Sequence, residues 1–322
     1  MRIEERLTEA YREAAGRVTI PNGIDARVGR RIGASRSGGR RTGGRRGRTK
    51  WLVLASLLAL LVMGFTAQYF VKIGDGRLSL ELSVTDRIRF DPVTAAAVRD
   101  QLREVKSRLA VGEKALVYSK EIRSFLPEPW DKEMHYAEYV SNPVLHTDAG
   151  EWRARLASYV PGLLLPDEKE NGLAFVNGTD EFAYGGVVLE TDVVKRLNAK
   201  VEEEGETLAW EKIVRDEPLF PAYTTLYEDP AGNEIKVTMQ VVAEKSKYVG
   251  LSKADQEKLV LKGREAVFSV NDSHYFSDTN RYASLSWIDS QPDASVLYTV
   301  GSSSPSVDKE ELVSIAETML EP

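Results

Sequence analysis

The spacing of apolar and polar positions changes several times along the chain, and each change predicts an element. The first 35 residues repeat with a helical period. Leu7, Tyr11 and Ala14 share a face with Ile3. After Thr19-Ile20-Pro21, Ile24, Val28 and Ile32 recur every four residues behind Asn22, a suitable N-cap. Residues 51–71 then show no period: 21 residues carry no charge and include six Leu, three Val and two Phe. At about 1.5 Å per residue such a helix is roughly 31 Å long, against a hydrocarbon core of about 30 Å. With no polar face and with Trp51 and Tyr69 near its ends, the run predicts a single transmembrane helix rather than a core helix. A cleaved signal peptide fits less well, because a long segment precedes the run and the run exceeds an ordinary h-region.

Beyond the span the period shortens. Leu78, Leu80, Leu82 and Val84 alternate with polar residues and predict a half-buried strand. Asp91-Pro92 opens a helix with Val98, Leu102, Val105 and Leu109 as its apolar stripe and Gly112 as its stop. A strand follows at 115–119, then a helix on Trp152, Leu156 and Val160 that stops at Pro161-Gly162. Residues 173–176, the turn Asn177-Gly178 and the stretch from Phe182 read as a hairpin. A charged helix covers 191–204. Strands at 223–228 and 235–244 flank Asp229-Pro230-Ala231-Gly232-Asn233, with Ile235, Val237, Met239 and Val241 opposed to Lys236, Thr238 and Gln240. Three more strands, 265–270, 283–289 and 296–300, precede a helix capped by Ser306, with Leu312, Ile315, Ala316 and Met319 on one face. The expected class is α+β: one transmembrane helix, then an extracytoplasmic region of antiparallel sheets each packed with helices. The expected divisions are a head (1–35), a basic Gly/Arg-rich tether (36–50), the span (51–71), an α+β lobe (72–214) and a sheet-plus-helix domain (215–322).

Charge fixes the direction of crossing. Residues 1–50 hold 14 Lys/Arg against five Asp/Glu, whereas the whole chain is −6. With 51–71 uncharged, residues 72–322 carry −15. Basic residues beside a span remain cytoplasmic, so the N-terminus is expected inside and the acidic body outside, in the cell membrane. The basic stretch between Arg36 and Lys50 suits anionic lipid. It lacks interleaved aromatic residues for base stacking, which argues against nucleic acid.

Candidate chemistry is sparse. The absence of cysteine excludes disulfides, thiol nucleophiles and thiolate metal sites. His135, His146 and His274 show no metal-ligand spacing, no G-x-S-x-G surrounds a serine, and Gly74-Asp75-Gly76 lacks the third glycine of a dinucleotide fingerprint. No catalytic residue, cofactor or metal is expected. Two partner surfaces are: the head, through Leu7, Tyr11, Ala14, Ile24, Val28 and Ile32, and a sheet groove formed by Tyr275, Phe276, Tyr282, Trp287 and Tyr298. The same five aromatics suit ordinary core packing, so both readings stand at this point.

Four tail segments carry a resemblance. Gly263-Arg264-Glu265-Ala266-Val267-Phe268, Ser286-Trp287-Ile288-Asp289, Tyr298-Thr299-Val300 and 308–317, which runs Asp-Lys-Glu-Glu-Leu-Val-Ser-Ile-Ala-Glu, together resemble domain-of-unknown-function family 4367 over roughly 215–320. That family occurs outside the membrane in sporulation-associated and anti-sigma-like proteins of Gram-positive bacteria. Residues 7–14 with 20–32 are similar to the cytoplasmic heads of some such regulators. The resemblance implies a non-enzymatic, single-pass membrane regulator that holds a sigma factor inside and senses a signal outside. The zinc-binding His/Cys pattern of many anti-sigma domains is absent, so a sigma contact would fall to the two head helices. The other reading is an envelope module carrying a lipid or peptide on its outer sheet.

Overall fold

The computed structural model describes residues 70–84, 91–125, 136–183, 186–189, 192–213, 222–252 and 255–320. These all fall in one of the chain's two units, Val53–Pro322. The predicted head helices, with Leu7, Tyr11, Ala14, Ile24, Val28 and Ile32, lie outside the described residues. So do the basic tether and all of the predicted span except its last two residues.

The chain is α+β. Strands β1 (Phe70–Gly74) and β2 (Leu78–Val84) form a hairpin, followed by helix α1 (Pro92–Ser107), β3 (Lys114–Ser119), short α2 (Lys120–Ser124), β4 (Tyr136–Ser141) and α3 (Ala149–Tyr159). Then come β5 (Ala174–Thr179), β6 (Gly186–Leu189), α4 (Asp192–Glu202) and β7 (Leu208–Lys212). The remainder runs β8 (Ala222–Glu228), β9 (Glu234–Val242), β10 (Ser246–Ser252), β11 (Asp255–Leu261), β12 (Arg264–Asn271), β13 (Tyr282–Ser290), β14 (Ser295–Ser302) and α5 (Lys309–Met319).

Three sheets organise these elements. The largest has seven strands in the order β11-β12-β13-β14-β9-β8-β5, every neighbour antiparallel. One face packs on α3 and α5: Trp152, Leu156, Leu312 and Ile315 meet Ile235, Val237, Met239, Leu285, Trp287 and Val300 in the main core. A four-stranded antiparallel sheet, β6-β4-β3-β7, lies between α1 with α2 on one side and α4 on the other. The third sheet, β1-β2-β10, rests on the second face of the large sheet through Ile73, Leu80, Tyr248, Val267 and Leu297.

The start and apolar stripe of α1 are realised, but the helix ends at Ser107 with Arg108 as its C-cap, five residues before Gly112. Asp91 accepts from the Thr94 backbone N–H at 2.8 Å, Pro92 fills the first turn, and Val98, Leu102, Val105 and Leu109 are buried. The Asp229 turn is realised too, its carboxylate accepting from the N–H groups of Ala231 and Asn233.

Several expectations are corrected. Phe70 and Val71 do not end a helix; they pair with Ser83 and Leu82 in β1. Among the described residues no helix is long and apolar enough to cross a membrane, and residues 51–69 of the expected span lie outside them. The sheets are not all antiparallel, because β10 runs parallel to β2, and the hydrophobic contacts of the three-stranded sheet are with other strands rather than with a helix. Asn177-Gly178 is not a hairpin turn. It lies inside β5, where a register shift after Phe175 lets the strand continue along β8. Asp308, not Ser306, caps α5, accepting from the Glu311 N–H at 3.0 Å; the Ser306 hydroxyl donates instead to Asn233. Finally, β5 joins β8 and β2 joins β10, so two sheets cross the expected boundary at residues 214/215.

Candidate functional site

The five aromatics expected to form a groove are distributed otherwise. Trp287 and Tyr298 face each other across β13 and β14 as fully buried, stacked rings, with centroids 5.3 Å apart and planes 9° from parallel. The Tyr298 hydroxyl accepts from the Leu164 N–H at 3.0 Å, and burial raises its pKa to about 12. Tyr282 is buried and stacks on His274. Tyr275 is buried against Phe125. These four belong to the core, because α3 and α5 cover one face of the large sheet while loops and the other sheets cover the rest. Phe276, half-buried, lines a cavity.

That cavity is a cleft of about 400 Å³ between α1 and the second face of the large sheet. Its floor is polar: Asn177 and Thr179 from β5 and Thr224 from β8. The alternation of β8 sends Thr225 and Tyr227 to the main core and Thr224 and Leu226 to the cleft. The Thr224 hydroxyl donates to the Glu181 carbonyl at 2.7 Å. Leu102, Val140 and Leu226 supply apolar wall, and Leu145, 56% exposed, stands at the lip.

Cations dominate the lining. Arg99, Arg103 and Lys106 occupy successive turns of one α1 face, and Lys236 enters from β9. Glu181 is the one carboxylate among the lining residues, and it is neutralised by Lys114 at 2.6 Å and by a hydrogen bond from the Tyr139 hydroxyl at 2.7 Å. The loop between β12 and β13 closes one end. Its Asn280 adopts the left-handed conformation (φ 55°), which asparagine tolerates. From this loop Asp278, 72% exposed, accepts from Arg103 Nη2 at 2.7 and 2.8 Å and lies 3.6 Å from Arg99 Nε. Arg99 also donates to Asn280 Oδ1. Positions 99, 103 and 106 flank the predicted stripe residue Leu102. Three cations at that spacing were the readable signal, but the floor comes from residues more than 70 positions away.

A second buried group lies behind α1. Glu138, on β4, is fully buried and accepts a short hydrogen bond from the Tyr275 hydroxyl. Burial pushes its pKa up to about 8, partly offset by that bond, and Oε2 has no partner among the described residues. Its neighbours Tyr118 and Tyr136 are edge-to-face, and burial raises both phenols. Full burial favours the neutral form of the Glu138 carboxyl. Near the β1–β2 turn, a shallower depression of about 800 Å³ carries Glu81 between Lys72 and Lys247.

The described residues hold no group of three His, Cys, Asp or Glu that could bind a metal. The chain matches no known protein family, no curated protein and no solved structure.

Proposed function

We propose that this protein is a single-pass membrane regulator, non-enzymatic, whose α+β body lies outside the cell and whose basic head contacts a cytoplasmic partner. One observation carries the reading: an uncharged stretch, residues 51–69, follows ten Lys/Arg within residues 27–50 and comes directly before the first described strand, β1. With Phe70 and Val71 assigned to β1, residues 51–69 remain for the span. At about 1.5 Å each they give roughly 28 Å, still close to the thickness of a bilayer core.

The cleft beside α1 is the sensing site in this reading, since it is a concave, mixed polar and apolar surface with converging cations. The resemblance to family 4367 supports an anti-sigma-like role, in which the head helices hold a sigma factor. Affinity purification of the full chain from solubilised membranes should retain a sigma factor at near-equal amounts, and substituting Leu7 and Tyr11 by Asp should release it. Recovery of no sigma factor would leave the second reading, an envelope module carrying a lipid or peptide. The cleft favours that reading equally, and mass spectrometry of organic extracts from the purified chain tests it.

A further inference from the structure

The cleft also indicates what it binds. We infer that it takes a small amphipathic carboxylate, whose head group occupies the position that Asp278 holds on Arg103 and Arg99. This rests on the cleft being a binding site, and not on the membrane span.

Three observations converge. The lining carries Arg99, Arg103, Lys106 and Lys236; Glu181 pairs with Lys114, Glu234 lies 3.5 Å from Lys236, and Asp278 and Asp100 lie against the arginines, so the cations that face the cleft gather on one α1 face at Arg99, Arg103 and Lys106. Lys106 has no acidic partner among the described residues. Asp278 shows how a carboxylate sits there: both of its oxygens lie within 2.8 Å of Arg103 Nη2, and one faces Arg99. Its 72% exposure makes the pair a weak surface ion pair, so an incoming carboxylate exchanges for it at little net cost. The gain then comes from the half-buried Leu226 and Phe276 and the exposed Leu145 at the lip, which a bare inorganic anion would leave uncovered. A volume of about 400 Å³ is at the small end of ligand cavities, which suits one head group with a short apolar body.

The test uses the full chain in nanodiscs of neutral lipid, with empty nanodiscs subtracted, titrated calorimetrically with phenylbutyrate, phenylbutanol and inorganic phosphate. Phenylbutyrate is expected to bind about tenfold more tightly than either control, since both the charge and the apolar body contribute. Asp278→Asn removes the competing carboxylate and should tighten phenylbutyrate several-fold, whereas Arg103→Gln should erase its advantage over phenylbutanol. Both positions are exposed, and thermal melts of each variant verify the fold. Equal binding of the alcohol, equal binding of phosphate, no binding at all, or no tightening by Asp278→Asn would each overturn the assignment. A failed span would alter the topology of the chain in cells and leave these titrations unchanged.

Discussion

Asp75 and Ser295 lie 220 positions apart in sequence and 2.6 Å apart in space, the serine hydroxyl donating to the carboxylate. Ser290 donates to the same oxygen at 2.7 Å, and Arg77 donates to the carbonyls of Gln291 and Pro292. The β1–β2 hairpin is thereby fastened to the β13–β14 turn. Burial opposes the charge on Asp75, but bonds from Ser295, Leu78 N–H, Ser290 and Arg77 N–H outweigh it and hold the pKa at about 2. Asp75→Asn keeps the shape and loses the charge. Allowing for solvent screening, it should cost on the order of 1 kcal/mol, read as a lower urea midpoint with unchanged m. The sign follows from a lowered carboxyl pKa. The contribution is intact above the unfolded value near 3.9 and disappears as pH falls toward about 2, so the wild-type advantage should vanish in that window.

Glu138 predicts the opposite slope. Its carboxyl is raised by burial to about 8, against roughly 4.3 in the unfolded chain. Between those values the unfolded chain releases the proton and the folded chain keeps it. Stability therefore falls as pH rises through the window, by an amount on the order of a few kcal/mol, and levels off above it. Glu138→Gln should flatten this slope. Urea midpoints at pH 5 and pH 8.5 measure it; an equally steep decline in the variant would assign the slope to other groups.

Gly178 is a packing requirement. A Cβ at this position would lie 2.1 Å from Trp152 Cε2, under an indole whose Nε1–H donates to Thr225 at 2.8 Å. The ring has no room to retreat, because His146 stacks against it at 5.1 Å. Gly178→Ala should therefore cost roughly 3 kcal/mol, detected by thermal melting, whereas Gly232→Ala, with open space around its Cβ position, should cost less despite its positive φ.

The same glycine shows what was legible in the sequence and what was not. Asn177-Gly178 reads as a turn because local chemistry favours one. The glycine is there for Trp152, a contact that only the tertiary fold brings about. Elements whose local signals agree with their packing were readable to within a residue or two: Asp91-Pro92 with its stripe, the Asp229 turn and the alternation of β9. Strands β1, β4, β7, β10 and β11 were not. β4 is buried on both faces and carries Glu138 in the middle, whereas β11 exposes most of its side chains and borders only β12, so neither alternates cleanly. Thr238 and Gln240 were placed correctly opposite Val237 and Met239, yet both are buried, because the second face of the sheet is also covered. The aromatic groove was misplaced for a related reason. Trp287 and Tyr298 share a face with Ile235 and Val237, and α3 and α5 close it.

The central claim is that residues 51–69 cross a bilayer and leave the body outside. The chain has no cysteine, so single cysteines report topology without background. In intact cells, a membrane-impermeant maleimide should label Glu206→Cys in the body and should label Ser37→Cys in the basic tether only after permeabilisation. Labelling of Ser37→Cys in intact cells, or protection of Glu206→Cys until the cells are opened, would contradict the account.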